Sequence, residues 1–264
     1  MKITLVPIAG LCNRMRAVVS AMAWQKNNPE VDLEIFWGKD FDCSAFFDDL
    51  FEQPKDLEIK RLKNFYMKKG GKRNFFIPDI IKKFHYDKIL YIDENRRQFF
   101  EKEICNATNI YIAAYNYFTP YEITNSLAEI FVPIKELRER IFSITDNYRD
   151  NVIGVHIRRT DNLSAIKDNP NEKFFTLMDQ EIQQNTRCQF YLATDSEEIK
   201  SLMIQKYGER IISQDLSLTR KNTIGMKDAV VDLYCLGATK KIIGCTHSTY
   251  SIMASQLYNI KLIK

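Results

Sequence analysis

Several residues that could carry chemistry follow one short apolar segment. Residues 152–157 are small or β-branched apart from His156, which is typical of a buried strand, and the chain continues with Arg158, Arg159 and Asp161. Ligands of open α/β sheets lie beyond the carboxyl ends of the strands. Two guanidinium groups at such a position suit a phosphate, since arginine can hold an oxyanion with two hydrogen bonds. The alternative is that both arginines form structural salt bridges with nearby aspartates.

The alternation of side chains along a strand divides this group of residues. His156 and Arg158 share one face if the extended conformation continues, and Arg159 lies on the other. We therefore expect one arginine to meet a ligand while the other holds the loop.

Three other polar groups also follow predicted strands. The first contains a glycine between a strand and a helix, which either directs backbone N–H groups at an anion or makes a tight turn. The last places hydroxyls at a helix start, where they add donors to free N–H groups and make a phosphate seat without a metal. The residues concerned are Gly10, Asn13 and Arg14 in the first group, Asp195 in the second, and Ser248 and Thr249 in the third.

Two acidic features allow opposing interpretations. Asp40 and Asp42 have the D-x-D spacing that holds a divalent cation and a sugar nucleotide, or they belong to a solvated loop. Asp232 lies among apolar residues of a predicted helix, so its carboxylate needs a partner. That partner is a nearby lysine or arginine, or a ligand with two adjacent N–H donors such as the Watson–Crick edge of guanine.

Alternating strands and helices must position these residues. The alternation predicts parallel sheets covered by helices, and two facing Rossmann-type α/β domains, 1–149 and 150–264, are expected on either side of a polar turn. The predicted strands are 3–8, 31–37, 88–92, 109–114, 152–157, 189–193, 210–213, 241–245 and 260–263; the main predicted helices are 15–26, 45–51, 96–103, 133–144, 172–184, 226–238 and 246–258, with a polar loop at 162–171.

Composition and charge limit the possible functions. The 264 residues carry a net charge of +4 with scattered basic residues, which argues against a nucleic-acid binder. The six cysteines lack the spacing of a zinc site, so we expect no metal and a reduced, cytoplasmic protein. No apolar run is long enough to predict a transmembrane segment. The basic run at 55–73 is either a solvated loop or a contact for an anionic acceptor or a membrane surface.

Three peptides resemble the motifs of fucosyltransferases related to the α1,6 and protein-O enzymes. They are GVHIRRTD at 154–161, FYLATD at 190–195, and Asp232 followed by CTHSTYS at 245–251. GLCNRMR at 10–16 and the segment 42–51 are similar to the first loop of the bacterial relatives. The order and separation of these motifs extend over nearly the whole chain.

The resemblance implies a GT-B fold, GDP-β-L-fucose as donor, inversion at the anomeric carbon, and no metal or other cofactor. It implies that Arg158 contacts the β-phosphate and stabilises the departing GDP. It also implies that His156 and Asp232 recognise guanine and ribose. The full set of expected donor-binding residues is Gly10, Asn13, Arg14, His156, Arg159, Asp161, Asp195, Asp232, Ser248 and Thr249.

One position departs from the family pattern. The α1,6 enzymes carry a glutamate, a proposed base, where this chain has Ile166. We expect Asp168 to activate the acceptor hydroxyl in its place, and Asp161 to have a structural role as well.

The resulting hypothesis is an inverting, metal-independent fucosyltransferase that acts on a bacterial surface polysaccharide or its precursor. Its partners would be GDP-fucose and a glycan acceptor, with peripheral membrane contact as an option. One alternative is a GT-B transferase that uses another GDP-sugar. Another is a GDP-binding or glycan-binding module that has lost its chemistry.

Overall fold

The computed structural model describes residues 1–55, 57–62, 79–92, 100–104, 106–119, 121, 127–148, 151–160, 163–215 and 219–264. The chain divides into two compact units. Unit 1 comprises Met1–Ile134 and Thr219–Met226, and unit 2 comprises Lys135–Leu218 and Lys227–Lys264.

Unit 1 is built on a five-stranded parallel sheet. Its elements are β1 (Lys2–Pro7), α1 (Leu11–Asn27), β2 (Asp32–Trp37), a 3₁₀ turn (Phe47–Asp49), β3 (Ile59–Arg61), α2 (Asp79–His85), β4 (Lys88–Ile92), α3 (Phe100–Ile104), β5 (Asn109–Ala114) and α4 (Leu127–Ile130). The strand order is β3-β2-β1-β5-β4, and Thr4 of the central β1 is in register with Glu34 and Tyr111. β1 and β5 are buried over most of their length, as expected for strands that are covered on both faces.

Unit 2 contains a second five-stranded parallel sheet. Its elements are α5 (Lys135–Thr145), β6 (Val152–Ile157), α6 (Leu163–Asp168), α7 (Asn171–Gln184), β7 (Gln189–Thr194), α8 (Glu197–Tyr207), a 3₁₀ turn (Gly208–Arg210), β8 (Ile211–Ile212), α9 (Thr223–Gly237, whose first turn belongs to unit 1), β9 (Lys241–Ile243), α10 (Thr249–Tyr258) and β10 (Lys261–Ile263). The strand order is β10-β9-β6-β7-β8. Every residue of β6 is buried, so this strand is the centre of the unit.

Both sheets have a point where the strand order reverses. In unit 1 the chain leaves β1 for β2 on one side and later returns to pair β5 on the other side. In unit 2 the equivalent strands are β6, β7 and β9. A crevice opens at the carboxyl ends of the strands at such a point, and ligands of open α/β sheets bind there.

The structure confirms the parallel α/β sheets, including the predicted strands 88–92, 109–114 and 152–157. The predicted polar loop at 162–171 is wrong, because α6 lies inside it; its leucine, alanine and lysine favour helix, but the polar residues around them obscured the pattern. The helix predicted from Pro133 begins at Lys135, and Pro133 instead forms a bridge with Phe51.

The division into units differs from the predicted boundary at 149/150. Helix α5 belongs to unit 2, where Arg140 pairs with Asp228 at 2.6 Å and Glu136 pairs with Lys227 at 2.6 Å. Leu137 and Ile141 are the buried residues of this helix. The polar segment that was expected to separate the domains therefore follows an element that is already packed in the second unit, and its residues 149 and 150 lie outside the described residues.

Candidate functional site

Asp195, at the end of β7, holds the loop that follows β6. Its carboxylate accepts the backbone N–H of Arg159 at 2.6 Å and the hydroxyl of Thr160 at 2.6 Å. Charge-assisted hydrogen bonds of this length are among the stronger ones in proteins. Asp195 was predicted to bind the donor, and its contacts in the structure show that it orders the loop that carries the two arginines.

Arg159 is held by the protein around it. Its guanidinium donates to the backbone oxygens of Arg158 and Asn169 and to the side-chain oxygen of Asn171, at 2.6–2.9 Å. The group also lies over the ring of Phe174, 5.8 Å from the ring centre. Arg159 is therefore the arginine that holds the loop.

Arg158 lies at the reversal of strand order in unit 2. Its backbone N–H faces the thiol of Cys245 at 3.4 Å, and that thiol donates to the backbone oxygen of His156 at 3.4 Å. These contacts join the end of β6 to the segment after β9. The guanidinium keeps some exposure, and its Nε lies 3.9 Å from Oδ2 of Asp195.

Asn169 is a central residue of the site that sequence reasoning missed. It is fully buried, and its side chain pairs with Thr246 twice, accepting the backbone N–H at 3.0 Å and donating to Oγ1 at 2.8 Å. It also accepts a hydrogen bond from Lys173 at 2.9 Å. Because its backbone oxygen binds Arg159, Asn169 connects three loops. The Asn-Pro pair at 169–170 is a turn signal that could have indicated it.

Helix α10 begins at the same edge of the sheet. Ser248 is its buried N-cap and accepts the backbone N–H of Tyr250, while Thr249 is the first helical residue. His247, immediately before the cap, has a left-handed backbone with φ of 59°. Its Nε2 lies 3.1 Å from Oδ2 of Asp168, the residue predicted to be the base.

Beneath this edge lies a buried polar cluster of His156, Tyr191, Asp232 and Tyr250. The Tyr191 hydroxyl donates to Asp232 Oδ1 at 2.8 Å. The Tyr250 hydroxyl lies 3.1 Å from Asp232 Oδ2 and 2.8 Å from the backbone oxygen of Ala229, and its ring is 5.1 Å from that of His156. The sequence predicted either a basic side chain or a ligand as the partner of Asp232. In the structure the partners of its two oxygens are instead tyrosine hydroxyls.

Burial shifts both titratable groups of the cluster toward their neutral forms. It raises the pKa of Asp232 to about 6, although the two tyrosine hydroxyls act in the opposite direction. Burial, aided by the charge of Arg158, lowers the pKa of His156 to about 3. The Nδ1 atom of this neutral imidazole is buried and has no hydrogen-bond partner among the described residues. A buried polar atom in that state is a feature of sites that take a ligand.

The predicted donor-binding residues of unit 1 surround the start of α1. Gly10 is the N-cap with an ordinary φ of −69°, and the left-handed residue of the turn is Ala9. Asn13 is half-buried in the first helical turn. Arg14 is fully buried and bonds to the backbone oxygens of Ala9 and Gly38 and to Asp40. Arg14 can thus act on a ligand only through the loop that it holds.

The D-x-D residues have structural contacts. Asp40 Oδ1 lies 2.9 Å from Arg14 and accepts the backbone N–H groups of Asp42 and Cys43 at 2.9 Å. Asp42 lies 4.0 Å from Arg220. Among the described residues, no three His, Cys, Asp or Glu side chains are grouped as a metal site would require.

Two predictions fall on parts of the chain outside the described residues. Asp161, a predicted donor-binding residue, is one of them, and most of the basic run at 55–73 is the other. In the part of the chain that the structure describes, no helix has the length and apolar character needed to span a bilayer.

Solved structures of several fucosyltransferases resemble this chain. NodZ, an α-1,6-fucosyltransferase co-crystallised with GDP, has a TM-score of 0.65 at 15% identity, over 97% of this chain and 92% of its own; another NodZ structure is described as from Bradyrhizobium. A variant of Arabidopsis thaliana FUT1 in complex with GDP has a TM-score of 0.59 at 15% identity, over 99% and 69%. POFUT1 in complex with GDP has a TM-score of 0.58 at 10% identity, over 98% and 94%.

Sequence comparison gives no further relative, since no family model and no curated protein match the chain. At identities of 10–15% the structural likeness concerns the fold. The chain has the GT-B-like, two-domain α/β fold of these fucosyltransferases, as its sequence motifs predicted.

Proposed function

We propose that this protein transfers L-fucose from GDP-β-L-fucose to a hydroxyl of a glycan acceptor, with inversion and without a metal ion. One observation carries the proposal. The reversal of strand order in unit 2 brings together Arg158, the start of α10 and the unpartnered Nδ1 of His156, in a fold whose neighbours include fucosyltransferases with bound GDP. A nucleoside diphosphate has phosphates that could bind Arg158 and the start of α10, and a base and ribose whose polar atoms could bind Nδ1 of His156.

The nucleoside would be recognised by the buried polar cluster. The Nδ1 of His156 is a polar atom without a partner in the described protein, so a base or ribose group that bonds to it removes a desolvation cost. Asp232, with its pKa at about 6, is mostly ionised at neutral pH and suits the two adjacent N–H donors of guanine. The tyrosine hydroxyls on its oxygens would then give way to the ligand or share it.

The diphosphate would bind at the start of α10. Backbone N–H groups of a helix N-terminus attract anions, and Ser248 and Thr249 stand at that terminus. Arg158 would stabilise the charge that develops on the departing GDP, while Asp195 and Arg159 keep its loop in place. Preorganised donors of this kind can disperse leaving-group charge without a metal. The family resemblance also assigns Gly10, Asn13 and Arg14 of unit 1 to donor binding, and this role is part of the proposal.

The direct test is GDP release from GDP-fucose with candidate glycans, with and without EDTA. Fucosylated product that forms equally with EDTA supports the proposal, and loss of activity with EDTA would contradict metal independence. Turnover of another GDP-sugar in preference to GDP-fucose would support the alternative transferase. Tight GDP binding without turnover of any GDP-sugar would support a binding module.

Nucleotide choice can be tested separately by thermal shift. A ligand that binds the native state raises the apparent stability by mass action. We expect GDP to stabilise the protein more than UDP or ADP at equal concentration, and Asp232→Asn to weaken this preference. Equal stabilisation by all three nucleotides would contradict recognition of guanine.

The biological setting also belongs to the proposal. A bacterial surface polysaccharide or its precursor would be the acceptor, and the enzyme would act in the cytoplasm with peripheral contact to the membrane. Buried cysteines fit a reducing compartment, and Cys43, Cys188, Cys235 and Cys245 are buried thiols outside any disulfide in the described structure.

A further inference from the structure

His247 and Asp168 form a pair on the exposed side of the candidate site. The imidazole Nε2 lies 3.1 Å from the carboxylate Oδ2, and 60% of the His247 side chain and 47% of the Asp168 side chain are exposed. His247 also has φ of 59°, a conformation that non-glycine residues rarely adopt. Residues held in such conformations are concentrated at functional sites, where the surrounding structure enforces them.

The buried Asn169 fixes this pair from both sides. Asn169 directly follows Asp168, and its side chain makes two hydrogen bonds to Thr246, which directly precedes His247. Its backbone oxygen accepts from Arg159. The same network that orders the arginine loop therefore orders the His247–Asp168 pair, so the pair is a built part of the site.

We propose that His247 is the general base of the transfer and that Asp168 is its positioning residue, an inference that rests on the proposed function. A neutral imidazole that donates its Nε2–H to Asp168 carries a lone pair on Nδ1. The acceptor O–H gives its proton to this nitrogen while the oxygen bonds to the anomeric carbon of fucose. The bond from that carbon to the β-phosphate oxygen breaks, and its electron pair leaves with GDP. Asp168 stabilises the imidazolium that forms.

The alternative is that His247 binds the diphosphate, since the start of α10 is adjacent. The charge of its partner argues against this. A carboxylate 3.1 Å from the imidazole would repel an anion at the same group, whereas it can accept the Nε2–H and so direct Nδ1 toward an acceptor hydroxyl. Ile166 has no group that could accept a proton, and Asp168, the base predicted from sequence, already faces His247.

The experiment uses donor reactivity, so that it does not depend on the natural acceptor. The full chain is incubated with GDP-fucose and either trifluoroethanol, which must lose a proton, or azide, which carries none. In His247→Asn we expect formation of the trifluoroethyl fucoside to fall about 10²- to 10⁴-fold, the usual contribution of a general base, while fucosyl azide forms nearly as fast as in wild type. Asparagine is chosen because it tolerates the left-handed backbone.

Matched variants separate a chemical role from a structural one. Asp168→Asn should show the same selective loss, smaller in size, and Asp168→Glu should recover part of it. His85→Asn in α2 and Asp146→Asn just after α5, both at exposed positions without a role in the proposed site, should behave as wild type. Equal losses with azide and trifluoroethanol, or no loss with either, would overturn the base assignment. A wild-type chain that releases no GDP from GDP-fucose with either nucleophile would instead contradict the proposed function.

Discussion

Replacing Asp232 by asparagine should make the protein more stable at neutral pH while it weakens nucleotide binding. Asp232 is 6% exposed, and burial raises its pKa from 3.8 to about 6. A group whose pKa is higher in the folded than in the unfolded protein stabilises the fold at pH values below its unfolded pKa. This contribution to the free energy of unfolding is lost as the pH rises through the folded pKa. The difference of roughly 2 pH units costs about 3 kcal/mol at pH 7, at 1.36 kcal/mol per unit.

Asparagine can satisfy the cluster without this cost. Its side-chain oxygen can accept from Tyr191, as Oδ1 does at 2.8 Å. Its amide can donate to the Tyr250 hydroxyl oxygen, while that hydroxyl donates to the backbone oxygen of Ala229 at 2.8 Å. Asp232→Asn should therefore raise the free energy of unfolding by up to about 3 kcal/mol at pH 7 and by about half of that at pH 5.

The assay is urea unfolding of both proteins between pH 5 and 8. His156 acts in the opposite direction in wild type, because its pKa is lowered from 6.5 to about 3 and stability is therefore lost as pH falls below 6.5. That contribution is common to both proteins and cancels in their difference. The difference isolates Asp232, whereas the pH profile of wild type alone does not.

Asp228→Asn is the matched control. Asp228 lies one turn earlier on the same helix and is also 6% exposed, but it pairs with Arg140 at 2.6 Å. Loss of that ion pair should lower stability, so the same substitution gives opposite signs at the two sites. The reasoning is refuted if Asp232→Asn is less stable than wild type at pH 7, or if the stability difference does not change with pH.

Three further predictions concern the loops and strand around the site. Arg158→Ala should lower kcat for GDP-fucose about 10²- to 10³-fold with a smaller loss of GDP affinity measured by calorimetry, because leaving-group charge grows in the transition state; equal losses in both would indicate uniform binding. Gly154→Ala should lower the free energy of unfolding in urea by about 1–3 kcal/mol, since the added carbon would lie 2.7 Å from a side chain of α9, and an unchanged midpoint would show that β6 can move. Asn169→Ala should lower the melting temperature, because it removes buried hydrogen bonds to Thr246 and Lys173 that together contribute about 2–4 kcal/mol to the free energy of unfolding. A variant with wild-type stability and wild-type GDP affinity would show that these hydrogen bonds do not order the site.

The fold could be predicted because its signals are local. β6 carries small and β-branched residues between polar boundaries, the pattern that predicts the strand at 152–157. The helix α6 and the short strand β3 were missed, since six and three residues are too few to show a period. The limit in both cases is the length of the element.

The sequence predicted where the site lies in the fold, but not which residues hold its side chains. The principle that ligands lie at carboxyl ends of strands is a matter of topology, and it placed Arg158, Asp195 and Ser248 at one edge of a sheet. The residues that hold Arg159 are Asn169 and Asn171; the Asn-Pro pair at 169–170 signals a turn, but the sequence does not show which side chain this turn binds. The partners of Asp232 are likewise two tyrosines distant in sequence, on β7 and α10.

The buried polar cluster itself is an argument for function. His156 and Asp232 are both held toward their neutral forms by burial, and among the described residues neither has an opposite charge within hydrogen-bond distance. A core selected for stability alone would place apolar residues there, or would pair the carboxylate with a basic group as Asp228 is paired with Arg140. Tyrosine hydroxyls keep Asp232 solvated in the absence of a ligand and leave its charge available to one. The stability that Asp232→Asn should restore is thus a measure of what the chain gives up to keep a carboxylate at this position.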